Sequence, residues 1–96
     1  MKLVHYIRET ARITAATQRR EAKPYRDSIA HEVVDSAGGG KFDDALQLLR
    51  KGNGLLVYSA AIIGRGPVQR HERLKALLDK GAVVVTCDAI MEAGRK

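Results

Sequence analysis

A chain of 96 residues is long enough for one compact domain and too short for two. Its single cysteine excludes an intrachain disulfide and a zinc site built from several cysteines, and it is consistent with the reducing cytoplasm. The 17 Lys and Arg exceed the 11 Asp and Glu, and the net charge of +6 favours an acidic partner, first nucleic acid and then an anionic membrane, or serves solubility alone.

The first half of the chain alternates strand and helix patterns. Leu3–Arg8 is a nearly continuous apolar run, which is typical of a strand covered on both faces. Residues 10–22 are rich in good helix formers, and Pro24 is expected to end or bend that helix. A second strand is predicted over residues 30–35, followed by a loop of low backbone order around Gly38–Gly39–Gly40.

The second half repeats the alternation. A helix is predicted over residues 43–51, and Pro67 suits the first position of another helix over residues 67–80. The remaining predicted elements are strands over residues 54–59 and 82–87 and a short helix over residues 89–93 with Asp88 as its N-cap. No apolar stretch approaches the ~20 residues of a membrane span, and the first residues do not read as a signal peptide.

Apolar spacing predicts which helix sides are buried. The expected inward residues are Ala45, Leu46, Leu48 and Leu49 in one helix and Val68, Leu74, Leu77 and Leu78 in the other. Buried strands that alternate with amphipathic helices predict one domain over residues 1–96. Its expected class is α/β, a three-layer α/β/α fold with a mostly parallel sheet of about four strands.

Four short motifs follow one another along the chain. Residues 6–10 read Tyr-Ile-Arg-Glu-Thr, and Gln18 lies in the helix that follows. Residues 35–38 read Asp-Ser-Ala-Gly, Lys41 precedes a leucine-rich helix, and residues 60–65 read Ala-Ala-Ile-Ile-Gly-Arg. This order resembles the catalytic domain of the resolvase/invertase serine recombinases, whose motifs include Tyr-x-Arg-x-Ser and Leu-Asp-Arg-Leu-Gly-Arg.

The resemblance covers about residues 2–88 and implies a phosphate site with a nucleophile beside it. In the family a serine attacks the DNA phosphodiester while arginines bind the phosphate and an Asp assists. Arg8 and Arg65 match the family's arginines, and Lys41 stands near another of them. Thr10 occupies the position of the nucleophile, so the resemblance implies Thr10 as the catalytic residue and Arg8, Lys41 and Arg65 as the phosphate ligands.

Several parts of the recombinase chemistry are missing from this sequence. The Asp and Arg of the fourth motif fall on Ala61 and Ile62, and each such loss alone can cost about 10²–10³-fold in rate. The extra methyl group of Thr10 crowds an in-line attack. The family's long dimer helix and helix-turn-helix domain are not expected here, since only residues 91–96 follow the last strand region. The resemblance therefore implies a recombinase-like pseudoenzyme, of a kind that suits a phage or mobile element.

The densest basic segment is the main candidate for contact with nucleic-acid phosphates. Its residues are Arg12, Arg19, Arg20, Lys23 and Arg26, most of them near one helix face. A merely solvated helix face is the alternative. Arg70, Arg73 and Lys75 form a second, weaker cluster that Glu72 dilutes.

No cofactor or metal is expected. The triple glycine lacks the spacing of a phosphate-binding P-loop and is more typical of a mobile loop. His5, His31 and His71 have no acidic or cysteine partners at metal-ligand spacing. Cys87 ends a buried strand and is expected to be a small core residue.

Three hypotheses for function remain open. The first is a non-catalytic, recombinase-like domain that acts in DNA-related regulation through protein contacts, weak DNA-backbone contacts or both. The second is a residual cleavage or transfer of DNA strands by Thr10 with Arg8 and Arg65. The third is a homo-oligomeric interaction or assembly protein with no role in nucleic-acid binding.

Overall fold

A computed structural model describes residues 1–87 of the chain. The sheet has four parallel strands in the order β2-β1-β3-β4, namely β1 (Leu3–Arg8), β2 (Ile29–Asp35), β3 (Gly54–Val57) and β4 (Val83–Thr86). The helices are α1 (Ala15–Glu21), a 3-10 helix (Lys23–Ser28), α2 (Phe42–Leu48), α3 (Ala60–Ile63) and α4 (Pro67–Asp79). The predicted helix over residues 89–93, with Asp88, lies outside the described residues.

Helices cover both faces of the sheet because successive side chains of a strand point to opposite faces. Val4 and Tyr6 of β1 belong to the larger core cluster, to which α2, α3 and α4 also contribute. Leu3 belongs to a smaller cluster with Leu56 and Cys87, against which Tyr25 of the 3-10 helix packs. All six residues of β1 are buried, as expected for a strand covered on both faces. The predicted α/β/α layering and parallel sheet are therefore confirmed.

The first helix begins later than the sequence pattern predicts. Thr10 Oγ1 accepts hydrogen bonds from Arg12 N at 3.3 Å and Ile13 N at 3.0 Å, which hold residues 10–13 in a turn. Thr14 then acts as the N-cap, because its side chain accepts from Thr17 N. Bonds from threonine side chains to the backbone compete with helix formation, and they delay α1 until Ala15.

Helix α4 presents a different face to the sheet from the one predicted. Val68 and Leu78 are 72% and 69% exposed, whereas Leu77 is fully buried. The inward face follows the helical spacing of residues 70, 73, 74 and 77, so it includes Arg70 and Arg73 besides the two leucines. For the helix predicted over residues 43–51, the prediction was right for Ala45 in α2 and for Leu49, the residue after its end, and Leu46 is half-buried. It was wrong for Leu48, which is exposed.

The glycine loop after β2 is held by specific bonds. Gly39 is buried, has a φ of +74° and donates its N–H to Ser36 O at 3.0 Å. A side chain at Gly39 would bring a Cβ to 3.2 Å from Arg73 Nη1. The loop thus lies against α4 at the carboxyl end of the sheet.

Within residues 1–87, no helix is both long and apolar enough to cross a membrane.

Candidate anion-binding site

The carboxyl ends of β1 and β3 flank the point where the strand order reverses. After β1 the chain crosses to β2 on one side of the sheet, and β3 lies on the other side of β1. In open parallel sheets the loops diverge at such a point and leave a crevice where ligands bind. A cleft of about 510 Å³ occupies this position and is lined by the loops that follow β1 and β3.

Four arginines line this cleft, called the arginine cleft below, together with mostly small and apolar residues. Arg8 ends β1, Arg12 lies in the turn before α1, and Arg65 and Arg70 flank the start of α4. Among the residues that the structure describes, no Asp or Glu lines the cleft. The arrangement therefore concentrates positive charge at a concave site.

Arg8 is the most buried of the four, at 6% exposure. Its Nε donates to the carbonyl of Ile62 at 2.9 Å, Nη2 to that of Ala61 at 2.7 Å and Nη1 to that of Ala37 at 3.1 Å. A guanidinium has five N–H donors, so two remain beyond these three bonds. The carbonyls fix the orientation of the group but do not neutralise its charge.

Arg65 and Arg70 come together because the chain packs tightly around Gly64. An added Cβ at Gly64 would lie 2.7 Å from Arg70 N, so the segment after α3 touches the first turn of α4. Arg65 N donates to Gln69 Oε1 at 2.8 Å, which fixes the segment further. Arg65 is exposed, whereas Nε of Arg70 is buried and has no hydrogen-bond partner. Arg70 thus lines the cleft and also holds a buried donor without a hydrogen-bond partner.

Thr10 lines the cleft as well, but its oxygen is already engaged. Oγ1 accepts from the backbone N–H groups of Arg12 and Ile13, and Thr10 N donates to Ile13 O at 3.1 Å. A threonine nucleophile needs a base to take its proton. No carboxylate or imidazole lines the cleft within residues 1–87. This geometry supports a structural role for Thr10, whose side chain stabilises the turn that contains Arg12.

The structure leaves Lys41 outside the arginine cleft. Lys41 is exposed at the start of α2, and its backbone N donates to Asp35 Oδ2 at 2.8 Å. Of the residues singled out by the recombinase resemblance, Arg8, Thr10 and Arg65 share one cleft, and Lys41 does not.

Sequence reasoning missed the residues that tie the surrounding loops together. Buried Asp35 accepts from Tyr6 Oη at 2.6 Å and from Ser36 N at 2.8 Å. Burial, together with this bond to Asp35, raises the pKa of the Tyr6 hydroxyl. Arg73 donates to Ile63 O at 2.8 Å and to Gly39 O at 2.9 Å, and so links the glycine loop to the end of α3. The helical spacing of Arg70 and Arg73 with Leu74 and Leu77 is the signal that could have indicated that these two arginines face inward.

The predicted nucleic-acid-contact residues separate into two groups. Arg12 lines the arginine cleft. The other four, Arg19, Arg20, Lys23 and Arg26, line a second cleft of about 440 Å³. This cleft also includes His5 of β1 and Glu32 of β2. The single basic stripe expected from the sequence is thus divided between two concave surfaces.

Residues 1–87 contain no group of three or more His, Cys, Asp or Glu side chains that could hold a metal ion. No protein-family model matches the chain, and no curated protein matches it significantly.

Proposed function

We propose that this chain is a non-catalytic domain that binds the phosphates of a nucleic-acid backbone, DNA first, through the arginine cleft. The observation that carries the proposal is the buried guanidinium of Arg8, whose hydrogen bonds all go to neutral carbonyl groups. A buried charge is costly unless it is paired and fully hydrogen-bonded. An anion in the cleft would supply the missing charge partner.

Phosphate groups suit these donors. Guanidinium groups bind phosphate oxygens through two parallel, charge-assisted hydrogen bonds. Arg8, which lines the cleft, has two N–H donors beyond its three bonds, Arg70 has an unpaired Nε, and the exposed Arg12 and Arg65 can adapt to a ligand. The net charge of +6 attracts a polyanion over a longer range. In a cell such binding would serve DNA-related regulation, with or without a protein partner.

A salt titration of DNA binding tests the proposal. We expect fluorescence anisotropy to show duplex binding near about 50 mM salt that weakens steeply as salt rises, because counterions are released. The double variant Arg12→Gln/Arg65→Gln should weaken binding and lower the slope of log K against log salt by about two. Lys2→Gln/Lys51→Gln is the matched control, since it removes two exposed charges that precede β1 and β3 at the opposite end of the sheet.

Two outcomes would count against the proposal. If the parent chain shows no affinity for DNA at low salt, the nucleic-acid role fails and an assembly role becomes the better hypothesis. If the control weakens binding as much as the arginine variant, the effect is only that of net charge and the cleft has no special part.

A residual strand-cleavage activity is the second candidate, because Thr10 shares the cleft with Arg8 and Arg65. Supercoiled plasmid incubated with the chain would then give nicked product and a covalent protein–DNA adduct. Thr10→Val, which removes the hydroxyl, should abolish both, whereas Thr10→Ser, which keeps the oxygen that accepts from Arg12 N and Ile13 N, should retain them. If the parent chain forms neither product at any concentration, the catalytic hypothesis is excluded.

A further inference from the structure

The second cleft offers a site of its own on the α1 side of the sheet. It shares no lining residue with the arginine cleft. We propose that this histidine cleft, formed by His5, Arg19, Arg20, Lys23, Arg26 and Glu32, binds a dianionic phosphate group and that the imidazole of His5 contacts it. The ligand class is inorganic phosphate or a phosphomonoester, including the phosphorylated end of a nucleic acid.

The charges of the histidine cleft are unbalanced. Four cationic side chains line it against one carboxylate. Arg19 satisfies that carboxylate through bonds of 3.2 Å from Nε and 2.9 Å from Nη2 to Glu32 Oε1. Within residues 1–87, Lys23 and Arg26 form no ion pair. Their charges are therefore available to an incoming anion.

His5 supplies a second, independent indication of a ligand. Its side chain is 1% exposed, and Nε2 is buried with no hydrogen-bond partner. Nδ1 lies 4.0 Å from Glu32 Oε2, which is too long for a hydrogen bond. Nearly all buried polar atoms in proteins are hydrogen-bonded, so an unpaired one beside a cationic cleft calls for a partner. An anion oxygen would be such a partner for Nε2.

The number of donors favours phosphate over a carboxylate. A phosphomonoester offers three strong acceptor oxygens and a charge of about −1.5 to −2 at neutral pH. One such group can accept from His5 and from two cationic side chains at once, whereas a carboxylate has only two oxygens. A backbone diester carries a single charge, so a terminal or free phosphate matches the unpaired cations better.

Protonation of His5 should be coupled to this binding. Burial lowers the pKa of His5, and the nearby charge of Arg19 lowers it further, while Glu32 opposes both. The other charged residues of the cleft, Arg20 of α1 and Lys23 and Arg26 of the 3-10 helix, are all cationic. A bound dianion would offset these cations, and so it should raise the pKa of His5.

The test is a titration with inorganic phosphate followed through the imidazole resonances of His5 by NMR, with chloride at equal ionic strength as the reference. We expect a saturable shift, a higher pKa of His5 in the bound state, and affinity reduced about tenfold or more in Lys23→Gln/Arg26→Gln. Arg12→Gln/Arg65→Gln should leave the titration unchanged. These variants retain His5, so the readout does not depend on a substitution in the core.

Two oligonucleotides that differ only in a 5′-phosphate or a 5′-hydroxyl separate the possible sources of the phosphate. Tighter binding of the 5′-phosphorylated strand, lost in Lys23→Gln/Arg26→Gln, assigns the site to a nucleic-acid end. Equal binding of the two strands, together with saturable binding of inorganic phosphate, assigns it to a small phosphate. A His5 response that matches the chloride reference overturns the proposal, and it would do so without affecting DNA binding at the arginine cleft.

Discussion

Arg8 and Asp35 are partners in the parallel register of β1 and β2, yet their side chains bind different segments of the chain. Arg8 donates to carbonyls of α3 and of Ala37, while Asp35 accepts from Tyr6 and from the two ends of the glycine loop. In the described part of the chain the two form no ion pair. The carboxylate organises the loop, and the guanidinium has no carboxylate partner among the described residues.

Removing the donors of Arg8 should destabilise the fold as well as the site. Arg8→Met leaves three carbonyls without their partner, so we expect the free energy of unfolding in urea to fall by about 2–4 kcal/mol. Arg65→Met makes the same substitution at an exposed position and should change it by less than about 0.5 kcal/mol. An equal effect of the two would contradict the anchoring role of Arg8.

The close approach at Gly64 predicts a strong dependence on side-chain size. In Gly64→Ala the new Cβ would meet the backbone of Arg70 at 2.7 Å, and we expect a loss of about 1–3 kcal/mol in thermal or urea unfolding. Gly66→Ala is the control, because a Cβ at Gly66 would meet nothing within 4 Å. If Gly64→Ala unfolds like the parent chain, the contact is looser than the structure has it.

The buried bond between Tyr6 and Asp35 gives a prediction at neutral and at alkaline pH. Tyr6→Phe should cost about 1–2 kcal/mol of stability at neutral pH, and Tyr58→Phe much less. Burial and Asp35 raise the pKa of Tyr6 above its ordinary value of 10.0, so the unfolded chain loses its proton first. The Tyr6 contribution to stability should therefore decline as pH rises above about 10. A parent chain and Tyr6→Phe variant with equal stability at neutral pH would refute the role of this bond.

Burial of His5 predicts a loss of stability on mild acidification. The folded pKa of His5 lies below its ordinary value of 6.5, so the unfolded state binds a proton that the folded state does not. The His5 contribution is therefore present above about pH 6.5 and is lost as pH falls toward the folded pKa. The free energy of unfolding in urea should change less between about pH 7.5 and about pH 5.5 in His5→Gln than in the parent chain. The exposed His31→Gln control should keep the parental difference, and a difference unchanged in His5→Gln would exclude His5 as its source.

Local patterns were sufficient to predict the sheet and most of the helices. The apolar run of Leu3–Arg8 marks a strand covered on both faces, and it also places Arg8 at a carboxyl end where parallel sheets bind ligands. The inward faces of the helices were harder to predict, because the apolar residues of α4 do not all lie on the side that faces the sheet. Arg70 and Arg73 take inward positions there while Val68 lies in solvent. Apolar positions considered alone leave out an arginine such as Arg73, which turns inward and donates to two carbonyls.

The sequence by itself determined the order of strands and helices and the excess of positive charge, and its resemblance to the serine recombinases indicated Arg8, Thr10, Lys41 and Arg65 as candidate residues. Periodicity, glycine and proline positions and composition act over a few residues, so they can be read without the fold. Only the tertiary structure decided which cations share a concave surface and which of them lack a carboxylate partner. Arg8 and the carbonyl that accepts from its Nε are 54 residues apart, and such a contact exists only once the parallel sheet has brought the ends of its strands together.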